Sequence, residues 1–266
     1  MASRISTRIL AIANQKGGVG KTTTAVNLAT SLAAVGKTVL LIDLDPQGNA
    51  STGLGISRQN RVVSTYDLLF GGCTANQAAV ATRVPRLSIV PASVHLAGAD
   101  IELVTAESRE FRLREALRTG TEDFDYVLID CPPSLSLITL NALVAAHAVL
   151  VPLQCEFFAL EGLSQLVRTI DRVRDTFNPQ LEIQGVVLTM YDKRNNLSQQ
   201  VADDVRAFFG PKVYTTLIPR NVRVSEAPSH GLPAIVYDMR CPGSQAYIQL
   251  AKEVLKRERN IEQQAA

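Results

Sequence analysis

Short runs of consecutive apolar residues alternate along the chain with longer stretches in which apolar residues recur at helical spacing. A short run that is apolar throughout is typical of a strand buried on both faces, and spacing of three to four residues is typical of a helix. The pattern predicts strands at residues 8–13, 38–42, 126–129, 148–151 and 183–188. It predicts helices at residues 22–35, 136–146, 160–176, 198–209 and 244–258. This alternation indicates an α/β fold, in which helices flank both faces of a mainly parallel sheet.

The chain of 266 residues is predicted to form a single domain. No linker rich in proline or serine divides it, and no internal repeat is evident in the sequence. Residues 51–120 show a weaker alternation of strands and helices, and we interpret them as an elaboration on the sheet.

Composition and charge narrow the classes of function. The 27 Lys and Arg residues against 25 Asp and Glu residues give a formal net charge of +2, and apolar residues make up 46% of the chain. These values argue against disorder and against binding of nucleic acid by bulk charge, but they allow a local basic patch. Four scattered cysteines without a Cys-x-x-Cys pair predict neither a zinc site nor a disulfide framework.

Membrane insertion is not predicted by the apolar pattern. The longest apolar stretch, residues 142–153, is shorter than the roughly 18 residues that a spanning helix needs. The apolar run at residues 9–13 is too short for the core of a signal peptide. We therefore expect a soluble, cytoplasmic protein.

A glycine-rich loop follows the first predicted strand and opens the first predicted helix. Glycines allow a close approach of the backbone to a phosphate, and the free N–H groups at a helix start attract an anion. Lysine at position 21 would add a cation near the β- and γ-phosphates, and the hydroxyl of Thr22 is a ligand for Mg²⁺. These features predict a P-loop NTPase whose nucleotide-binding loop reads Lys16-Gly17-Gly18-Val19-Gly20-Lys21-Thr22-Thr23.

A dinucleotide-binding fingerprint is the nearest alternative for these glycines. The pattern G-x-G-x-x-G, begun at Gly18, fails because Thr23 occupies the last glycine position. The loop also departs from the ordinary pattern G-x-x-x-x-G-K-[ST], since Gln15 stands where its first glycine is expected and Lys16 adds a second lysine.

The chain resembles ParA/Soj-type chromosome partitioning ATPases of the MinD/ParA superfamily, which carry the deviant Walker A motif K-G-G-x-G-K-[ST]. The resemblance continues through residues 43–55 (DLDPQGNASTGLG), 130–134 (DCPPS) and 218–228 (IPRNVRVSEAP), and it covers nearly the whole chain. Few residues precede the loop, which favours the short, chromosomal type of partition protein.

The resemblance implies catalytic roles for Lys16, Lys21 and Asp45. Lys16 would reach the nucleotide of a second subunit, and Asp45 would orient the attacking water. Asp130 would hold Mg²⁺ directly or through water, with Thr22 as a further ligand.

Asp43 is a weaker candidate for the Mg²⁺ shell, and a purely structural role is an equal alternative. The resemblance also implies that Pro219 and Asn221 surround the adenine of ATP.

The resemblance further implies that the ATP-bound homodimer binds double-stranded DNA without sequence preference. Residues 190–223 contain six basic and three acidic residues, a local net charge of +3. Phosphate contacts require cations but no base-reading geometry. The candidate DNA-binding residues are Arg223, Arg194, Arg220 and Lys193. The expected partner is a ParB-type centromere-binding protein, and this protein is expected to associate with the nucleoid.

Two other functions remain open from the sequence. A MinD-like membrane-surface ATPase would carry a terminal amphipathic helix, but residues 252–266 mix charges and end polar, without an aromatic anchor. A redox protein like the nitrogenase iron protein would need a second cluster cysteine beside Cys131, and none is evident at the matching position.

Overall fold

A computed structural model describes residues 7–156 and 159–265 of the chain. In these residues one eight-stranded sheet has the order β3-β4-β2-β5-β1-β6-β7-β8, and β3 alone runs antiparallel to its neighbour. The strands are β1 (Arg8–Ile12), β2 (Val39–Asp43), β3 (Val80–Ala81), β4 (Leu87–Val90), β5 (Tyr126–Asp130), β6 (Ala148–Gln154), β7 (Glu182–Tyr191) and β8 (Val213–Pro219).

Helices cover both faces of this sheet. They are α1 (Lys21–Ala34), α2 (Asn49–Gly53), α3 (Thr65–Leu69), α4 (Ala75–Ala78), α5 (Leu96–Val104), α6 (Arg112–Ala116), α7 (Leu137–Ala145), α8 (Ala159–Thr176), α9 (Asn196–Phe209), α10 (Val222–Glu226), α11 (Ala234–Tyr237) and α12 (Pro242–Ala265). Short 3₁₀ turns lie at Arg58–Asn60, Gly210–Lys212 and Ala227–His230. Among the described residues, no helix is both long and apolar enough to cross a membrane.

Two hydrophobic cores lie on opposite faces of the sheet. Ile9 and Ala11 of β1 join the core that α3 to α9 complete, whereas Leu10 and Ile12 join the core beneath α1, α2 and α10 to α12. Successive side chains of a strand point to opposite faces, so β1 is apolar at all four positions from Ile9 to Ile12. The predicted α/β class, with a mainly parallel sheet between two helical layers, is confirmed.

The five predicted strands and the five predicted long helices are all present, with ends that differ by a few residues. Residues 51–120 add β3 and β4 to one edge of the sheet and carry helices α3 to α6. The sequence pattern missed β3, β4 and β8, which are short or carry polar residues.

The strand order determines where a ligand can bind. β1 lies between β5 and β6. The chain runs from β1 to β2 on one side of this point and from β6 to β7 on the other side, so the strand order reverses here. Ligands of open α/β sheets bind beyond the carboxyl ends of the strands at such a point. There Asp130 is in register with Ile12 of β1 and with Asp43 of β2.

Candidate nucleotide site and basic surface

The glycine-rich loop joins β1 to α1 and leaves its backbone open. Gly18 and Gly20 have φ angles of +75° and +86°, a region that side chains with a Cβ rarely adopt. In the part of the chain that the structure describes, a Cβ built on Gly17 or Gly18 would meet no heavy atom within 4 Å. Gly20 is the N-cap of α1 and offers no side chain to cap it, and the N–H groups of a first helical turn have no partner within their own helix. The loop is shaped to hold an anion.

Asn14 anchors the loop, and the sequence analysis did not single it out. Its buried side chain donates from Nδ2 to the carbonyl of Pro152 at 2.8 Å and accepts at Oδ1 from the backbone N–H of Lys16 at 3.0 Å. The loop is thereby tied to β6. Asparagine directly after a strand commonly makes this kind of local turn, which is the one signal the sequence offered.

Lys21 is buried at the start of α1, and its ammonium donates to the carbonyl of Lys16 at 2.9 Å. Burial lowers the pKa of Lys21, while the nearby carboxyl groups of Asp130 and Asp45 and the thiol of Cys131 act to raise it. The ammonium group thus lies between the loop and the acidic strand ends, where a phosphate would gain a cation.

Asp130 ends β5 and is fully buried. Neither of its carboxylate oxygens has a well-formed hydrogen bond from any described residue. Burial, with the charge of Asp43 as the next cause, raises the pKa of Asp130 well above its usual range, and the neighbouring Thr22 hydroxyl opposes the rise.

A buried carboxylate without a partner is costly unless a cation joins it. Carboxylate and hydroxyl oxygens are ligands that Mg²⁺ accepts, and it normally keeps several waters beside them. Asp130 and Thr22 therefore fit a bound magnesium ion.

Asp43 is also fully buried, but protein donors occupy its oxygens. Oδ2 accepts from the hydroxyl of Ser51 at 2.6 Å and from its backbone N–H at 2.8 Å, and Oδ1 accepts from the N–H of Asp45 at 3.3 Å. Burial raises the pKa of Asp43 to about 6, against the opposing effect of the Ser51 hydrogen bonds. These contacts fasten the start of α2 to the end of β2.

Asp45 lies half-buried in the turn that follows β2. Its Oδ1 accepts from the N–H of Gln47 at 2.9 Å, and its carbonyl accepts from the N–H of Gly48 at 2.8 Å, which closes the turn. Its charge acts on Lys21, Asp43 and Asp130. Asp45 therefore belongs to the same cluster as the magnesium candidates.

Lys16 differs from Lys21 in its exposure. Its side chain is 39% exposed, and its ammonium lies 2.9 Å from Oε2 of Glu156, whose side chain is 47% exposed. Glu156 follows β6, which is the strand that Asn14 contacts. The structure thus places one lysine of the loop inside the site and the other at its rim.

The ends of β7 and β8 form the other side of the loop. Thr189 of β7 donates its hydroxyl to the carbonyl of Val19 at 2.8 Å, a contact that the sequence did not predict. Pro219 pairs with Tyr191 at the end of β8. Asn221 then begins α10, where its Oδ1 accepts from the N–H of Val224 at 3.3 Å.

The four candidate DNA-binding residues divide between two places. Lys193, Arg194 and Arg220 line a groove of about 890 Å³ beside the end of β8. Arg194 is 89% exposed, and two of its nitrogens lie 3.0–3.1 Å from the carboxylate of Asp192. Arg223 lies on α10 and is 55% exposed, with Oε2 of Glu226 at 3.1 Å and Oδ2 of Asp238 at 3.7 Å.

A glycine-rich loop between a central strand and a helix that begins with Lys-Thr is the phosphate-binding arrangement of the P-loop nucleoside triphosphatases, and here the strand-end Asp130 lies near the lysine. A family model described as an AAA domain matches residues 7–183 of the chain. The chain is 63% identical over 261 residues to the chromosome partitioning protein ParA of Caulobacter vibrioides strain NA1000 / CB15N, which covers 97% of this chain and 98% of the relative. It is 54% identical over 247 residues to the sporulation initiation inhibitor protein Soj of Bacillus subtilis strain 168, and this match covers 93% of this chain and 98% of Soj.

The chain belongs to the ParA/Soj family of chromosome partitioning ATPases. The family resemblance, the ATPase activity and the cofactors ATP and Mg²⁺ expected from the sequence are confirmed at this level.

Among solved structures, the cobyrinic acid a,c-diamide synthase of Mycobacterium smegmatis with bound ADP and magnesium is similar, at a TM-score of 0.83 and 40% identity. The match covers 95% of this chain and 96% of that one. That synthase is named for a different reaction, and its identity to this chain is lower than that of the two partition proteins. The cell division ATPase MinD of Pyrococcus furiosus is also similar, at a TM-score of 0.77 and 28% identity, and the match covers 94% of this chain and 98% of MinD.

Proposed function

We propose that this protein is a DNA segregation ATPase that works as a nucleotide-controlled switch. ATP binding drives a sandwich homodimer, the dimer binds double-stranded DNA without sequence preference, and hydrolysis stimulated by a ParB-type centromere-binding protein releases the DNA. The observation that carries the proposal is the position of Lys16, a lysine of the phosphate loop at the rim of its own site. The names of the curated relatives support the assignment to chromosome partitioning.

Within one subunit, residues 16–23 bind the triphosphate of ATP, and Lys21 neutralises its charge from inside the site. Thr22 and Asp130 are the residues that would hold Mg²⁺, which supplies further neutralisation of the phosphate oxygens. Asp45 orients the attacking water, because phosphoryl transfer needs positioning more than a strong base. Asp43 takes the structural role for which its bonds to Ser51 argue, and we assign it no direct contact with the ion.

Dimerisation follows from the charge of the triphosphate. Two subunits that meet through their nucleotide faces bring anionic groups together, so cations must lie between them. Lys16 meets that need, because an exposed ion pair such as Lys16–Glu156 is worth about 0–1 kcal/mol and is easily exchanged. A second lysine also stabilises charge on the terminal oxygens during hydrolysis.

The base of ATP is the least constrained part of the site. Pro219 and Asn221, after β8, surround the adenine in this proposal. The Oδ1 of Asn221 is engaged by the first turn of α10, so its Nδ2 is the atom left to donate to a ring nitrogen.

We also propose that the whole chain acts as one ATPase domain, with residues 51–120 as part of it.

DNA binding is assigned to Lys193, Arg194, Arg220 and Arg223. Arg194 and Arg223 each lie beside carboxylates, so the patch of one subunit is partly neutralised. Two such patches in one rigid dimer bind with a high effective concentration, which makes DNA affinity depend on dimerisation.

Sedimentation of the protein with ATP, with ADP and without nucleotide tests the dimer. We expect a dimer with ATP alone, and a monomer for Lys16→Ala in each condition. A wild-type protein that stays monomeric with ATP, or a Lys16→Ala protein that dimerises normally, would contradict the proposal. ATP-dependent pelleting with anionic liposomes would instead support the MinD-like membrane alternative.

A further inference from the structure

Arg61 connects three segments near the site through one guanidinium group. Nε donates to the carbonyl of Ile56 at 3.2 Å, and Nη2 donates to the same oxygen at 3.0 Å and to the hydroxyl of Thr52 at 2.8 Å. Nη1 donates to the carbonyl of Ala92 at 3.3 Å. The planar fork of arginine makes such a set of contacts possible, and a lysine ammonium cannot reproduce it.

The guanidinium packs directly on the turn that carries Asp45. Gly48 closes this turn with a φ angle of +65°, and a Cβ built there would collide with Nη1 of Arg61. Thr52, which accepts from Arg61, donates its hydroxyl to the carbonyl of Gly48 at 3.0 Å. Arg61 therefore holds the last residue of the turn both by contact and through Thr52.

A second chain of hydrogen bonds leads from Arg61 to Asp43. Ala92, whose carbonyl accepts from Arg61, donates its N–H to the hydroxyl of Ser51 at 3.1 Å. That hydroxyl donates to Oδ2 of Asp43 at 2.6 Å. Asp43 and Asp45 flank Leu44, so the two routes from Arg61 fix both ends of the same short segment.

We propose that Arg61 is a positioning residue of the ATPase, which keeps the Asp45–Gly48 turn rigid and the Asp45 carboxylate directed at the reacting phosphate. The inference rests on the proposed role of Asp45 as the residue that orients water. Its physical basis is that a displacement of about 1 Å in a catalytic group costs on the order of 100-fold in rate. If Arg61 were purely structural, its loss would lower the stability of the protein without selectively lowering kcat.

Steady-state ATP hydrolysis should be compared for wild type, Arg61→Ala, Arg61→Lys, Asp45→Ala and the double variant Asp45→Ala/Arg61→Ala. We expect Arg61→Ala to lower kcat by about 10- to 100-fold. The KM for ATP should stay within about twofold of wild type, because the phosphate loop is untouched. The kcat of Arg61→Lys should fall as well. The matched control is Arg58→Ala, which removes an exposed arginine that lines a cavity together with Arg61, Pro46 and Gln47.

The double variant decides whether Arg61 acts through Asp45. If it does, adding Arg61→Ala to Asp45→Ala lowers kcat no further. Thermal melting identifies variants that fail to fold. If Arg61→Ala is unfolded, Thr52→Val is used in its place, because it removes the hydroxyl that links Arg61 to Gly48. We expect Thr52→Val to melt near wild type and to have a reduced kcat.

Three results would overturn the inference: an unchanged kcat for Arg61→Ala, a rise in KM that accounts for the lost kcat/KM, or multiplicative effects in the double variant. Failure of the underlying proposal is distinguishable from these. Asp45→Ala hydrolysing ATP at the wild-type rate would overturn the role of Asp45 itself. A multiplicative double variant, with Asp45→Ala impaired, would overturn the inference about Arg61 alone.

Discussion

The ammonium of Lys16 lies 2.9 Å from Oε2 of Glu156, so the loop lysine proposed to serve a second subunit is held by its own chain. Both side chains are partly exposed, and an ion pair of this kind contributes about 0–1 kcal/mol. An ion pair this weak is readily exchanged for a contact between Lys16 and a phosphate.

Removing the Glu156 charge should strengthen the ATP-bound dimer. In Glu156→Gln, Lys16 breaks no ion pair when it moves to the nucleotide of the second subunit. We therefore expect the Kd of the ATP-bound dimer to fall by up to about fivefold. Sedimentation equilibrium measures this change, and the matched control is Glu161→Gln, at an exposed residue in the first turn of α8. A weaker dimer would mean that Glu156 itself contacts the second subunit.

Loss of the cation or the hydroxyl at the start of α1 should weaken MgATP binding. Lys21→Ala removes a charge-assisted contact worth about 1.5–3 kcal/mol, so we expect the Kd for MgATP to rise roughly 10- to 100-fold. Thr22→Ala should raise it less, and mainly in the presence of Mg²⁺. Calorimetric titration with and without Mg²⁺ measures both effects, and unchanged affinity in the two variants would exclude the loop as the phosphate site.

The buried carboxyl of Asp43 should make the nucleotide-free protein less stable as the pH rises. Its pKa is raised from 3.8 to about 6 in the folded protein, so the folded state binds the proton more tightly than the unfolded state. Stability is therefore greatest below pH 4 for this group and is lost as the pH rises through 6. A shift of this size corresponds to about 3 kcal/mol.

Asp43→Asn tests this dependence, because the amide oxygen can still accept from Ser51 without carrying a charge, and only the longer 3.3 Å bond from the N–H of Asp45 loses its acceptor. We expect the variant to melt at a higher temperature than wild type at pH 7.5 in EDTA, and this gain should shrink at pH 5. Melting curves across this pH range measure it. A gain that does not vary with pH would show that the charge of Asp43 is not the cause.

Reversing the charge of Arg223 should weaken DNA binding and spare the dimer. Arg223→Glu places a third carboxylate beside Glu226 and Asp238, so phosphates are repelled where they were attracted. We expect DNA affinity with ATP to fall by at least about 10-fold, as for loss of a strong phosphate contact. Fluorescence anisotropy with labelled duplex measures it, and loss of the ATP dimer would instead place Arg223 in the subunit interface.

The central strands could be predicted because burial on both faces leaves a continuous apolar run. β8 escaped prediction because Thr215 and Thr216 interrupt its apolar residues. In the structure their N–H groups donate to Glu253 of α12 at 2.8 and 3.1 Å, which covers the edge of the sheet. β4 gives only a weak apolar signal because it has four residues and Ser88 interrupts them.

The residues of the candidate site likewise divide into those that the sequence predicts and those that it does not. Lys21, Thr22 and the strand-end Asp130 are readable because each belongs to a compact motif or ends an apolar run. Thr189 contacts Val19 across 170 positions, and Glu156 reaches Lys16 across 140. Such contacts depend on strand order, which hydropathy does not encode.

The most direct test of the nucleotide switch is binding of a labelled DNA duplex with ATP, with ADP and without nucleotide, across a series of salt concentrations. The proposal predicts tight binding with ATP alone, and an affinity that falls steeply as salt increases, because several phosphates are neutralised together. Equal affinity in the three nucleotide states, or an ATP-dependent affinity that does not respond to salt, would contradict it.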